Sequence, residues 1–333
     1  MKKLIRPFKT LLPLLLLLQV NAFAQNDNDN KNDDNKKYGF EKSKSVNRTY
    51  NVSATDRLNI SNSFGKVEVN TWNKNEIKVD VSIEVSANTD ALAQKMIDRI
   101  SVSDEKNGKE ISFKTTIKDM NNSKGEKSRM TINYRISMPA SNPLQVKNEF
   151  GATIIPDHAG EVDLVSKFGS LTAGNLSNVK NVQVEFGKAN IESINNGNLV
   201  IKYSNATLGK LTGTIKLNAE FSTVIKMDLD SRLAGLDIKA SYSTVNLKPA
   251  TDMSASYTIN TSFGSFKNRT EVKFDGDDND KQDKGPKFDF QYNGKSGSGN
   301  TRIHVNTSFG NVILGEPRPE DIKSKSKTKT KTS

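Results

Sequence analysis

An aromatic residue recurs along this chain in one fixed setting. Phe64, Phe150, Phe168, Phe186, Tyr203, Phe221, Tyr242, Phe263 and Phe309 each follow an aliphatic residue by four positions: Ile60, Val146, Leu164, Val182, Leu199, Leu217, Ile238, Ile259 and Val305. The residue two before the ring is usually small, and Gly or Ser usually follows it directly. Apolar pairs then stand three and five positions on, as in Val67/Val69, Leu171/Ala173, Ala189/Ile191, Ala206/Leu208, Val245/Leu247 and Val312/Leu314. Lys226 after Phe221 and Asn268 after Phe263 break the pattern, and Thr153 is a polar substitute after Phe150.

From Phe150 the copies are spaced by 18, 18, 17, 18, 21 and 21 residues up to Phe263, and by a further 46 to Phe309. Periods of this size mark solenoids and β-helices, whose coils cannot bury their apolar side alone and must stack. The last interval corresponds to two coils plus an inserted loop. Even offsets before the ring are those of a strand with one face inward. The odd offsets after it require a change of parity, which a corner or bulge at the small residue supplies.

The expected fold is therefore all-β, a parallel β-helix-like solenoid with coils of about 18–21 residues. The rings are expected to point inward and form a continuous interior column. At ~4.8 Å per coil, the six sequence steps from Phe150 to Phe263 correspond to roughly 29 Å of solenoid. Regularly spaced short strands also describe a β-sandwich. A helical solenoid is disfavoured, because Val, Ile, Thr and Phe alternate with period two.

Residues 49–142 differ in pattern. Phe64 carries the motif, but the next copy is 86 residues on, with alternating runs between them at 77–85, 111–117 and 130–138. Leu92, Met96, Ile97 and Ile100 have helical spacing behind Thr89, a plausible N-cap, so one short helix is expected over about 89–100. The segment is expected to be a small strand–helix–strand cap on a solenoid spanning 143–315, since open solenoid ends need covering.

Composition limits the chemistry. There is no Cys, which removes disulfides, thiolate metal sites, a cysteine nucleophile and a lipid-modified N-terminal Cys. The two histidines, His158 and His304, are poor supply for a metal site or a Ser-His-Asp triad. Setting aside Lys2, Lys3, Arg6 and Lys9 and the five lysines of 323–331 reduces the net charge from +11 to +2. The basic balance therefore belongs to the ends and indicates no nucleic-acid-binding face.

The flanks read as address and tether. Residues 1–24 have the basic, apolar and small-residue parts of a secretory signal, ending in Ala22-Phe23-Ala24. The apolar run of about ten residues is too short to span a ~30 Å hydrocarbon core. Export to the periplasm, the extracellular space or the cell surface is expected, with no transmembrane segment and no lipid anchor. Residues 25–48 read as a disordered Asn/Asp/Lys-rich leader and 316–333 as a disordered Lys/Thr/Ser tail, with weak electrostatic contact of the tail with anionic surfaces. The acidic residues Asp27 and Asp29, and Asp275 to Asp280 within an inserted loop at about 274–300, invite a calcium reading. Neither stretch has the Gly and Glu of an EF-hand at positions six and twelve; the second has Asp280 and Pro286 there. No metal or other cofactor is assigned.

The stretch Asn62-Ser-Phe-Gly-Lys-Val-Glu-Val69, then Tyr134-Arg-Ile-Ser-Met-Pro-Ala140 with Leu144-Gln-Val-Lys-Asn-Glu-Phe-Gly151, and the repeated Phe-Gly together resemble the bacterial putative adhesin family over about residues 50–315. The resemblance implies a β-helical fold in an exported cell-envelope protein and transfers no catalytic residue. The function expected is a non-catalytic binding or structural module whose partner is an envelope polymer or protein. Outward positions such as Lys66, Lys188, Asn205, Thr223 and Thr244 form polar ladders that ordinary solvation also explains. Two alternatives are a β-helical polysaccharide-degrading enzyme and an accessory role in envelope-stress signalling. The enzyme reading would need paired carboxylates ~5–10 Å apart, and the candidates are Glu149, Glu185 and Glu220. With Lys167 and Lys202 between them they form an alternating series, which predicts a structural ion ladder along one exposed strip.

Overall fold

The structure, a computed structural model, describes residues 38–118, 124–276 and 288–322. The signal segment, most of the leader, most of the acidic loop and most of the tail lie outside the described residues. In chain order the strands are β1 (Phe40–Asn51), β2 (Arg57–Ser63), β3 (Val67–Thr71), β4 (Glu76–Ala87), β5 (Ile100–Asn107), β6 (Glu110–Ile117), β7 (Ser128–Met138), β8 (Leu144–Glu149), β9 (Ala152–Ile155) and β10 (His158–Lys167). They continue as β11 (Ser170–Glu185), β12 (Lys188–Lys202), β13 (Asn205–Glu220), β14 (Ile225–Ser241), β15 (Thr244–Pro249), β16 (Ala255–Ser262) and β17 (Ser265–Arg269). The last are β18 (Phe274–Gly276), β19 (Asp289–Lys295), β20 (Thr301–Ser308) and β21 (Asn311–Gly315). Helix α1 (Asp90–Arg99) lies between β4 and β5, and the short α2 (Pro319–Ile322) follows β21.

The fold is all-β, with a long, unclosed and mostly parallel sheet of solenoid type. Its core follows the repeat. The aliphatic residues four before each ring stack in one buried file that runs Ile60, Val146, Leu164, Val182, Leu199, Leu217, Ile238, Val305 and Ile259. A second file begins at Val67, Thr153, Leu171, Ala189, Ala206 and Ile225, and ends at Val245, Val312 and the half-buried Phe266. These two files, the first wholly aliphatic and the second mostly apolar, remove apolar surface from water at about 25 cal/mol per Å². Lys226 breaks the sequence pattern because the corner after Phe221 holds one extra residue. Ile225 and Met227 then take the places of the next coil, opposite Ala206 and Leu208, and Lys226 faces solvent.

The order of coils departs from the order of the chain. Strand β20 lies between β14 and β16, and β21 between β15 and β17. The coil carrying Phe263 is thus one step further out than the sequence spacing suggests, and the coil carrying Phe309 fills the slot before it. The 46-residue interval is therefore not two coils and a loop: β18 and β19 form an antiparallel pair, with β19 laid antiparallel on β16 at the outer edge. Part of the expected 274–300 loop is consequently strand. Phe274, Tyr257, Phe266 and Tyr292 cluster there, with ring centroids 4.9–5.8 Å apart.

At the other end β1, β4 and β7 are antiparallel neighbours, and β7 continues in parallel onto β3. The antiparallel β5–β6 pair joins β2 through β6. The coil of Phe64 lies directly against that of Phe150, so the 86 intervening residues leave no gap in the stack. Helix α1 has Thr89 as its N-cap, whose side chain accepts from the Leu92 N–H, and it buries Leu92, Ala93, Met96 and Ile97. At its C-terminus the Ile97 carbonyl accepts from the C-cap N–H of Ile100 and from Lys44 of β1, whose ammonium also donates to the Ile100 carbonyl.

Two ends are more ordered than expected. Strand β1 begins at Phe40, inside the leader predicted to be disordered to residue 48. Pairing along all of β4 and the half-burial of Val46 and Tyr50 against the core supply what the polar composition lacks. Likewise α2 lies in the predicted tail. Its Asp321 accepts from Lys267, Arg269 and the Arg318 N–H at 2.8–3.1 Å, fixing the chain end to edge strand β17. The side-chain hydrogen bond from Arg269 leads in holding that carboxyl well below the usual range.

Gly169 packs so closely on the previous coil that a Cβ there would sit 1.9 Å from the Gly151 carbonyl oxygen. A Gly169→Ala variant is expected to lose about 1–3 kcal/mol in denaturant melts. His158 is buried; its Nε2 lies 2.8 Å from the Asn142 carbonyl oxygen and its Nδ1 has no partner. Burial pushes its pKa below the ordinary histidine value, against the smaller effect of that hydrogen bond. The unfolded chain therefore binds a proton first, and stability is expected to fall as pH drops below about 6.5. In His158→Gln this part of the acid dependence of Tm is expected to disappear.

Candidate functional site: an external aromatic column

All nine motif rings have φ between 48° and 63°, the left-handed region. This region costs a non-glycine residue about 1–2 kcal/mol. Each ring residue is a one-residue corner that reverses which side of the chain the next side chain takes. The residue two before it is buried and the ring itself turns outward. Ser204, Ser222, Ser243 and Gly310, directly after their rings, are buried again, and the apolar positions three or four residues on return to the interior, where Phe266 is half-buried. The parity change expected at the small residue thus occurs at the aromatic, and the rings stack on the outside. The interior column anticipated from the sequence is corrected to an exterior one, because a left-handed residue cannot keep the inward direction of the strand before it.

The stack itself is continuous. In spatial order it runs Phe64, Phe150, Phe168, Phe186, Tyr203, Phe221, Tyr242, Phe309, Phe263 and Phe288. Centroids are 4.7–5.0 Å apart and planes are within 17° of parallel, so the column is about 44 Å long. Each ring is 38–53% exposed. The backbone N–H of each motif aromatic except Phe263 donates to the carbonyl of the residue before the next ring, as from Phe168 to Glu185 at 3.0 Å and from Tyr242 to Ser308 at 2.9 Å; that of Phe263 donates to the Phe288 carbonyl at 2.9 Å. The backbone ladder thereby extends through the corner. Where Ser follows the ring, its hydroxyl bonds within the corner: Ser204 Oγ donates to the Lys202 carbonyl at 2.7 Å and accepts from the Gly187 N–H at 3.0 Å.

Beside the rings runs the predicted ion ladder. Glu149, Lys167, Glu185, Lys202 and Glu220 occupy adjacent register positions in that order. Lys167 Nζ is 3.2 Å from Glu185, and Lys202 Nζ 3.1 Å from Glu220. Burial acts to raise the pKa of Glu185, but a hydrogen bond from Gln183 and the charges of Lys167 and Lys202 outweigh it and hold the carboxyl below its usual range. Successive carboxylates of the strip have a lysine between them and serve the coil-to-coil pairing. Of the outward positions anticipated from sequence, Lys188 and Asn205 are register neighbours on the other flank of the column, while Lys66 is tied to Glu68 at 2.8 Å. His158 is in the core and His304 lies in the outer sheet near Asp237, at 3.8 Å. Among the described residues no three His, Asp or Glu side chains are grouped to hold a metal. Asp27, Asp29 and Asp277–Asp280 lie outside the described residues.

Ring geometry limits what the column can do. Near-parallel rings at ~4.9 Å cover one another's faces, so only edges remain open along its length. Sugar binding by stacking needs an open face, and the rings within the column have a neighbour on both faces. The accessible surface is a straight apolar ridge with polar flanks. The rings were named in the sequence as the repeat marker; their outward direction was not legible, because positive φ at a bulky residue has no signature in composition.

Removing a ring forfeits two stacking contacts of about 0.5–1.5 kcal/mol each. At Phe186 the usual order of small residues is expected to invert. Phe186→Gly should be more stable than Phe186→Ala by about 1 kcal/mol, since only glycine adopts this φ freely. Equilibrium urea unfolding of both variants reads this directly.

No protein-family model matches the chain, and no curated protein does. Among solved structures it is similar to a putative adhesin from Bacteroides fragilis, at 9% identity over 81% of this chain and 97% of that one, with a TM-score of 0.41. It is also similar to a putative cell adhesion protein from Clostridium sporogenes, at 13% identity, 83% and 100% coverage and a TM-score of 0.27. A putative lipid binding protein from Parabacteroides distasonis gives 8% identity, 82% and 97% coverage and a TM-score of 0.32.

Proposed function

We propose that the protein is an exported, non-catalytic module of the cell envelope that acts through contact, with the aromatic column as its contact face. In this reading residues 1–24 are a removed signal peptide and 25–39 a leader. Residues 40–142 close one end of a β-solenoid of 18–21-residue coils that occupies 143–315, with a basic tail after it. Among the described residues no helix is long and apolar enough to cross a membrane.

One observation carries the reading: ten half-exposed rings lie in an unbroken row. At ~200 Å² per ring, about half exposed, they leave on the order of 900 Å² of contiguous apolar surface. The largest patch on a typical monomer is ~300–600 Å², and larger ones mark interaction sites. The scaffold beneath is rigid, since each coil is hydrogen-bonded to its neighbours on both sides. Of the flanking carboxylates, Glu185 and Glu220 are ion-paired to the lysines of the preceding coils, which favours contact over chemistry.

The test is retention in the envelope. Fractionated cells carrying the wild-type chain are expected to hold it in the envelope fraction under mild washing. A Phe186→Gly/Phe221→Gly variant, both changes compatible with the corner, is expected to wash out at least tenfold more readily while circular dichroism stays that of a β-protein. Equal retention of variant and wild type would remove the column as the contact face.

A further inference from the structure

We infer that the aromatic column is a self-recognition surface whose partner is a second copy of this chain, the two columns meeting edge to edge about a twofold axis. The inference rests on the column being a contact face and names what covers it.

Area is the first argument. Two copies, each with on the order of 900 Å² of exposed ring surface, could cover about 1,800 Å² in total, against ~1,200–2,000 Å² for a stable interface. A narrow ridge whose ring faces are already occupied leaves edges as its contact groups. Edge contacts are a preferred geometry between aromatic rings, and a second column supplies rings at the same ~4.9 Å spacing along its whole length.

The flanks supply the second argument, because the charges among the described residues beside the rings are placed so that full overlap of two columns sets no like charges opposite each other. In an antiparallel pair the axis falls between Tyr203 and Phe221, the midpoint of the ten rings. Lys202 then faces Glu220 of the second copy. Glu185, Lys167 and Glu149 face Ser241, Ser308 and Ser262, and on the other flank Lys188 faces Thr244. In a parallel pair the two flanks exchange: Glu185 faces Lys188, and the remaining strip charges face neutral residues. The cause lies in the order of the stack. Charges sit on the coils from Phe64 to Phe221, whereas the coils of Tyr242, Phe309 and Phe263 carry only Ser, Thr, Asn and Gly beside the ring, and Asp289 beside Phe288 meets the neutral Ser63 in the antiparallel pair. Like charges set opposite each other oppose association, so their absence among the described flanking residues in both registers is a self-complementary pattern.

Sedimentation velocity of the purified mature chain over 1–100 μM tests the proposal, with two single-charge variants that leave the rings and the core untouched. The wild type is expected to sediment as a dimer. In the antiparallel pair, Ser308→Lys sets a lysine against Lys167 and is expected to weaken dimerisation at least tenfold, whereas Lys188→Glu changes little. In the parallel pair Lys188→Glu sets a carboxylate against Glu185 and the sensitivities exchange. Either pattern supports self-pairing and reports its direction. A wild type that stays monomeric at 100 μM, or a dimer indifferent to both changes, overturns it. So does ring-dependent capture of the monomer by phosphatidylcholine vesicles or envelope glycan, which would leave the contact-face reading standing with a different occupant. Loss of envelope retention without any dimer in solution separates the two readings in the same way.

Discussion

The parallel backbone ladder sets the repeat distance of this molecule, and everything outside and inside the sheet inherits it. Strands ~4.8 Å apart place equivalent side chains of successive coils within van der Waals reach. Inside, that spacing makes files of Val, Leu and Ile; outside, it makes the ion ladder and the ring column. The corner that joins the strands is strained at about 1–2 kcal/mol per aromatic in the left-handed region. Stacking against neighbours at about 0.5–1.5 kcal/mol per contact is of the same size. The column therefore offsets the strain of its own corners more than it adds stability, and the ladder hydrogen bonds through each corner keep the geometry in place.

That balance gives the exposed rings a double character. Their faces belong to the fold, covered by the ring above and the ring below. Their edges belong to the surface, where a row about 44 Å long stays in contact with water. A purely structural stack would need the faces alone. The unbroken run of edges, with neutral flanks beside Tyr242, Phe309 and Phe263, is what directs attention from stability to association.

Individual elements show how far local patterning reaches. The nine aliphatic positions four before the rings are all buried and all in one file, as alternation implied. The helix starts at Asp90 behind Thr89, where capping chemistry put it, and Glu149 to Glu220 line up with the lysines between them in the anticipated register. Phe168 and Phe186 stack directly, at 4.9 Å. Polar composition, by contrast, misjudged Phe40–Asn51, because a strand paired along its full length needs few apolar residues of its own.

Periodicity alone determined that this chain winds into stacked β coils, which residues face the core before each corner, and that the aromatics of successive coils meet. Tertiary structure decided two things that spacing cannot encode. One is the outward direction of the rings, which depends on a backbone angle set by the ladder on either side of the corner and not by the residue's hydrophobicity. The other is spatial order: Phe309 stands between Tyr242 and Phe263 because the chain lays down an outer coil first and then returns to fill the slot. Both coil sequences satisfy the same local pattern, so only the pairing of β20 with β14 and β16 distinguishes them.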